Sequence, residues 1–186
     1  MTFQPKLVAL DIDGTLVDWS GNLPKGVVDA VQRVVAADIP VVLATGRNWY
    51  GVEPVFDLLQ LPPSWAVVSN GAAVVEYPPL EVHQEHAFDP SEAISEITKL
   101  APDVLIAVEQ IGRGWRVSKP FPADELVGTI KVETIPELMS RPVSRVVLRD
   151  PACNEDIFGQ LAKKLGMIGV SYSVGWSCWI DIAPDG

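Results

Sequence analysis

The sequence predicts an α/β protein in which a parallel β-sheet layered with helices is followed by a second module of mixed α+β type. Three observations carry that expectation. Short apolar runs at 7–11, 39–44 and 65–69 each end in polar or glycine turn residues. Stretches with helical periodicity separate these runs, and helical crossovers between buried strands imply parallel pairing with right-handed connections. After Pro78 and Pro79 the texture changes to short strand-like pieces interrupted by two helical ones.

Residues 7–11 form an apolar run that ends in an acid, which suits a buried parallel strand. Across 24–38 the apolar positions Val27, Val28, Val31, Val34 and Val35 make a helical stripe, with Pro24 placed for the first turn. A second strand at 39–44 is broken by Thr45 and Gly46. Residues 49–61 read as helix, ended by Pro62 and Pro63. The third strand, 65–69, closes at Asn70 and Gly71. Ligands of open parallel sheets sit beyond the carboxyl ends of the strands, and Asp11, Thr45 and Asn70 fall there. Further strands are expected at 82–88, 104–110, 115–118, 128–134, 144–149, 170–174 and 176–182, with helices at 91–100 and 154–165. That mixture predicts a second α+β domain of about a hundred residues.

Composition narrows the function classes. Of 186 residues, 48% are hydrophobic and 20% charged, enough for a core and contrary to global disorder. The apolar runs are far too short to span a bilayer, and Met1 leads into a strand without a charged leader and cleavage site. A soluble cytoplasmic protein with no membrane partner is expected. The net charge of −10, with basic residues scattered, argues against nucleic acid. A small phosphorylated metabolite stays open as a partner, provided a metal or a local cation offsets the charge. Cys153 and Cys178 show no metal-ligand spacing and read as reduced, buried thiols. His83 and His86 would share a face only in a helix; their alternating segment reads as a strand, which turns them apart.

The chemistry concentrates in Leu7-Val8-Ala9-Leu10-Asp11-Ile12-Asp13-Gly14-Thr15-Leu16. Two carboxylates one residue apart at the end of a buried strand make a site that a hard cation such as Mg²⁺ would stabilise. Gly14 permits the tight turn that folds Asp13 back over it. An EF-hand loop would need glycine at Leu16 and glutamate at Asn22, and has neither. A response-regulator receiver lacks the Asp-Gly-Thr turn.

Asp11-x-Asp13-Gly14-Thr15 resembles the first signature of the haloacid dehalogenase (HAD) superfamily. Leu43-Ala44-Thr45-Gly46-Arg47 resembles the second, and Ser69-Asn70-Gly71-Ala72 resembles a segment of its Cof-type branch, class IIB. The resemblance implies a Rossmann-like core at 1–79, an inserted α/β cap at 80–183, and a return towards the core at 184–186. It also implies Mg²⁺-dependent hydrolysis of a small phosphomonoester, sugar-phosphate-like, through a phosphoaspartate. Asp11 would be nucleophile and metal ligand. Asp13 would be general acid and base, binding metal through its backbone carbonyl. Thr45 would hold a phosphoryl oxygen, and Gly14, Thr15, Gly46, Arg47 and Asn70 would line the substrate. Arg47 reads equally as a surface charge at a helix start, and Asn70 as a turn-former tolerant of left-handed backbone. Trp115, Arg113 and Arg116 read as a hairpin surface, and Trp49, Trp65, Trp176 and Trp179 as core.

Members of that branch continue after the cap with a Ser/Thr-Lys segment and a Gly-Asp-x-x-Asn-Asp segment, neither of which these 186 residues contain. The lysine neutralises the nucleophile and the incoming phosphate. Two like charges ~4 Å apart repel by about 4 kcal/mol at a protein surface, and one preorganised donor is worth on the order of 10²–10³ in rate. The expectation is a fragment with weak activity whose first strand is an uncovered sheet edge, or a chain in which a homo-oligomer covers that edge. The alternatives are a phosphomutase of the same superfamily and a non-catalytic phosphate-binding or regulatory protein.

Overall fold

The computed structural model describes residues 5–152, 159, 160, 163, 171–175 and 179–184. The chain divides into two compact units, Met1–Glu85 and His86–Gly186. The first holds a five-stranded sheet in the order β1-β2-β3-β4-β5, formed by Val8–Leu10, Val41–Ala44, Ser64–Val68, Ala73–Tyr77 and Glu81–Glu85. β1, β2 and β3 run parallel, and β4 and β5 are antiparallel additions. The parallel half and its helices, α1 (Lys25–Ala36) and α2 (Trp49–Leu58), match the expected order.

Two differences from the sequence expectation stand out. Ala73–Tyr77 forms a strand where the sequence pattern predicts none, and it pairs along its whole length with β3. The strand expected at 82–88 is β5, and it adds to this same sheet through β4. Strand pairing therefore carries the first sheet on to Glu85, past the division expected at residue 79.

Period-two alternation sorts the two faces of this sheet. Val41, Leu43, Ala66, Val68, Ala73 and Val75 are buried on one face. There Trp49 and Phe56 of α2 meet Tyr77 at ring-centroid distances of 4.9 and 5.3 Å. On the other face Ala9 and Trp65 are exposed, and Val42, Ala44, Val67 and Val74 are half-buried. Trp65, expected in a core, is 42% exposed and packs its ring on His83 instead. β1 is an edge strand, as expected, with Leu7 exposed beside it.

The second unit holds a six-stranded sheet in the order β10-β11-β9-β6-β7-β8. Its strands are β6 (Leu105–Gln110), β7 (Gly114–Val117), β8 (Ile130–Val132), β9 (Val146–Arg149), β10 (Ser171–Gly175) and β11 (Trp179–Ala183). α3 (Ser91–Leu100) and the short α4 (Ile135–Leu138) join one core cluster with Ile106, Val108, Val146, Leu148, Ile180 and Ile182. Sequence periodicity missed α4, which is four residues long; Thr134 and Glu137 close it with reciprocal capping bonds. Trp115, Ala107, Val117 and Val147 form a second cluster with Leu126. Trp115 and Arg116 are 4% and 2% exposed, so the expected hairpin surface is interior. Most of the helix expected at 154–165, with both cysteines and Trp176, lies outside the described residues. Among the described residues no helix is long and apolar enough to cross a membrane.

Candidate active site

Each parallel strand of the first sheet ends in a polar turn, and the three turns lie side by side because the strands do. β1 ends at Leu10 and delivers Asp11, β2 ends at Ala44 and delivers Thr45, and β3 ends at Val68 and delivers Ser69 and Asn70. After β1 the chain folds back tightly. Leu16 and Val17 donate backbone hydrogen bonds to Ile12 O, and Gly14 N donates to Val17 O at 3.0 Å. Gly14 sits at φ +73°, the left-handed region that glycine adopts without a Cβ penalty. This turn buries Ile12, Leu16 and Val17 and leaves Asp11, Asp13 and Thr15 exposed.

The β2 and β3 turns are stitched to each other. Thr45 N donates to Val67 O at 3.0 Å, Asn70 N to Thr45 O at 3.3 Å, and Ser69 N to Arg47 O at 2.8 Å. Thr45 is buried, and its Oγ1 accepts from Arg47 N at 3.2 Å. Asn70 takes the left-handed backbone expected of a turn-former, φ 57°. Its side chain also rests against Gly46, where an added Cβ would lie 2.6 Å from Asn70 Oδ1. Gly46 is therefore the residue that lets the Asn70 amide close over the β2 turn.

Arg47 reaches across to Asp13, a contact that neither reading of its sequence position named. Its Nη2 lies 2.6 Å from Asp13 Oδ1, and its Nε lies 3.0 Å from Asp13 Oδ2. The opposite nitrogen, Nη1, donates to Gly51 O in the first turn of α2. A planar guanidinium so anchored holds a carboxylate by a two-pronged contact that fixes its plane. Asp13 is thus tied to the β2 turn, while Asp11 has no hydrogen bond or ion pair among the described residues. Among the described residues Thr15 takes part through its backbone, whose N–H donates to Ile12 O at 3.3 Å.

One residue that the motif reading passed over stands beside this site. Trp19 is 90% exposed, and its indole Cη2 and Cζ2 lie 3.2 Å from where a Cβ on Gly14 would be. Asp18 builds the loop that carries it, accepting from Ser20 N and Asn22 N, both at 2.9 Å. The backbone bond from Asn22, helped by its side-chain amide, holds the Asp18 carboxyl below the ordinary carboxylate range. The available signal was a tryptophan in a polar turn directly after the Asp-x-Asp-Gly-Thr run. At the far side of the sheet, His83 Nε2 lies 2.9 Å from Glu76 Oε2 and 3.8 Å from Glu81 Oε2. β5 being a strand, the helical spacing of a His83–His86 metal pair does not arise.

Residues 8–120 match the family described as haloacid dehalogenase-like hydrolase, Hydrolase_3. The chain belongs to this family. In Bacillus subtilis, YxeH is 32% identical over 93 residues, 50% of this chain and 31% of that protein. Phosphatase YwpJ, also of Bacillus subtilis, is 32% identical over 69 residues, 37% of this chain and 24% of that protein. The matched part of this HAD-like chain thus spans about a third or less of these curated relatives. A solved structure described as the HAD subclass IIB sugar phosphatase BT4131 superposes with a TM-score of 0.77 at 17% identity. It covers 97% of this chain and 70% of that one. The fold class expected from the sequence is the fold of this HAD-like chain.

Proposed function

We propose that this chain carries the nucleophile half of a phosphomonoesterase acting on a small phosphorylated metabolite, sugar-phosphate-like, through a phosphoaspartate. The observation that supports it best is the unequal treatment of two neighbouring acids. Asp11 is exposed at a strand end with no hydrogen-bond or ion-pair partner among the described residues, and Asp13 is held in place by Arg47. A carboxylate oxygen of Asp11 forms the bond to phosphorus as the phosphorus–oxygen ester bond breaks, and Asp13, which enters this half in its protonated form, gives that proton to the leaving alcohol oxygen. In the second half Asp13 takes a proton from water as the water oxygen bonds to phosphorus and Asp11 departs. The sum is phosphomonoester plus water giving alcohol plus inorganic phosphate. Thr45, pinned by three bonds at the β2 turn, holds a phosphoryl oxygen. Gly14, Thr15, Gly46 and Asn70 shape the backbone around it, and the second unit takes the role of cap. YwpJ and BT4131 carry phosphatase names, which favours this chemistry.

The donor set suits Mg²⁺, because the unpartnered Asp11 carboxylate and the Asp13 backbone carbonyl are hard oxygen ligands. Bound there, the ion would supply positive charge to offset the Asp11 carboxylate and the phosphoryl group. The Asp13 carboxylate is engaged by Arg47, and the carbonyl of Asp13 would be its metal ligand, as the family resemblance implies. The experiment is release of inorganic phosphate from p-nitrophenyl phosphate with and without Mg²⁺, in the natural protein and in Asp11→Asn. Removal of a nucleophile is expected to cost at least about 10³-fold in kcat. A rate indifferent to both the metal and Asp11→Asn would sink the proposal.

A further inference from the structure

We infer that Trp19 is a substrate-contacting residue of this site and that it selects phosphomonoesters whose leaving group presents a flat ring face, as a cyclic sugar does. The inference rests on the phosphomonoesterase reading for the position of the phosphoryl group, and on Trp19 itself for the rest. Single exposed apolar side chains are ordinary on protein surfaces. Trp19 differs in how its loop is made. Asp18 N donates to Asn22 O and Gly21 N donates to Asp18 O, both at 2.9 Å. Both oxygens of the Asp18 carboxylate are used within the same five residues. A loop closed by five hydrogen bonds fixes the backbone under a side chain that is itself 90% exposed.

The place of that side chain is equally specific. The edge of its six-membered ring approaches Gly14, the residue after Asp13, so the indole stands next to the acid that serves the leaving oxygen. A side chain at Gly14 would meet it at 3.2 Å, so the absence of a Cβ admits the tryptophan as well as the turn. The leaving group of a phosphomonoester departs on the Asp13 side, where it meets a large flat apolar surface. Tryptophan combines a broad apolar face with little conformational entropy to lose, and stacking on such a face favours rings over flexible chains. Ser20 and Asn22, both exposed in the same loop, offer polar partners at the rim for hydroxyl groups.

The test measures equilibrium binding of glucose 6-phosphate, cyclic in water, and of the acyclic glycerol 3-phosphate, with Mg²⁺ present. It is made on Asp11→Asn protein, so that substrate is not consumed, and on the same protein carrying Trp19→Ala or Trp19→Phe. Trp19→Ala is expected to raise Kd for the cyclic phosphate about tenfold, equivalent to about 1.4 kcal/mol. Kd for the acyclic one should change less than about twofold, and Trp19→Phe should recover most of the loss. Equal effects on both phosphates, no effect on either, or no binding of the cyclic phosphate at all would overturn the inference. A change in sedimentation with both affinities preserved would overturn it too, by making Trp19 a contact between protein chains. Turnover that depends on Asp11 without ring discrimination removes only the Trp19 inference. Ring discrimination without turnover removes only the phosphatase reading.

Discussion

In the first unit the site's ionisable groups sit where strands stop; in the second, ionisable groups run through the sheet itself. Asp11 and Asp13 follow β1 and are exposed, and Arg47 follows β2 and reaches back to Asp13. Glu109, Arg116 and Arg145 lie in or beside strands of the second sheet and are 2%, 2% and 5% exposed. Arg145 Nε donates to Glu109 Oε2 at 2.8 Å and its guanidinium lies 5.0 Å from the Trp115 ring centroid. Arg116 meets Glu133 at 3.2 Å and the Glu137 carbonyl at 2.9 Å. A charge at a solvated strand end can exchange partners and protons at little cost. A charge inside a sheet has been stripped of water and must keep its partner. The contrast separates groups available for chemistry from groups that fix structure.

The strongest way to break that contrast is to remove a buried partner. Glu109→Ala removes the 2.8 Å partner of the buried Arg145, while Asp181 at 3.5 Å and the Trp115 face stay beside it. Breaking one side of a buried pair costs about 3–5 kcal/mol, and the lower end applies because Asp181 stays. Urea unfolding of the variant should show that loss with its slope unchanged. A loss under about 1 kcal/mol would show that the cluster is solvated, and the distinction between the units would fail.

Next in size is Arg47→Ala, which should act on rate and hardly on stability, because the Arg47–Asp13 pair is half-exposed. Without the guanidinium, Asp13 loses the contact that fixes its plane. A fall in kcat of about tenfold with KM within about threefold is the expected outcome, since proton transfer and not substrate affinity is disturbed. Arg47→Lys should restore little, because an ammonium cannot reproduce a two-pronged contact. A large rise in KM with kcat intact would reassign Arg47 to direct phosphate binding.

The same contrast explains what the sequence made legible. Asp11, Thr45 and Asn70 could be placed because apolar strands announce themselves and polar turn residues end them, so the strand ends were readable without tertiary information. β4 was missed because Ala73–Tyr77 follows immediately on the turn at Asn70 and Gly71, and only its pairing with β3 reveals it. Trp65 was misplaced because the β3 strand presents alternate residues to two faces, and its sequence does not say which face the helices cover. Arg116 looked like a surface charge for a related reason. Its partner Glu133 lies 17 residues away, a separation at which residue type carries no pairing signal. Arg47 was ambiguous until the turn after β1 brought Asp13 within reach.

The finest test concerns Asp181, which is half-buried beside that group and incompletely satisfied. Its Oδ2 accepts from Trp179 Nε1 at 3.2 Å, whereas Oδ1 is buried without a hydrogen bond among the described residues and lies 3.5 Å from Arg145 Nη1. Burial raises this carboxyl above the ordinary range, and Arg145 and the Trp179 bond offset that only in part. The folded protein therefore holds the proton more tightly than the unfolded chain. Asp181 favours folding below the ordinary carboxylate range, and that contribution is lost as pH rises through the raised value. Asp181→Asn keeps an acceptor for Trp179 and removes the buried charge. The variant should melt about 1–2 °C higher than the natural protein at neutral pH, and the difference should close as pH falls through the carboxylate range. A variant that melts lower at neutral pH would mean that attraction to Arg145 outweighs burial. Asp181 would then be a fully paired member of the cluster, no different in kind from Glu109.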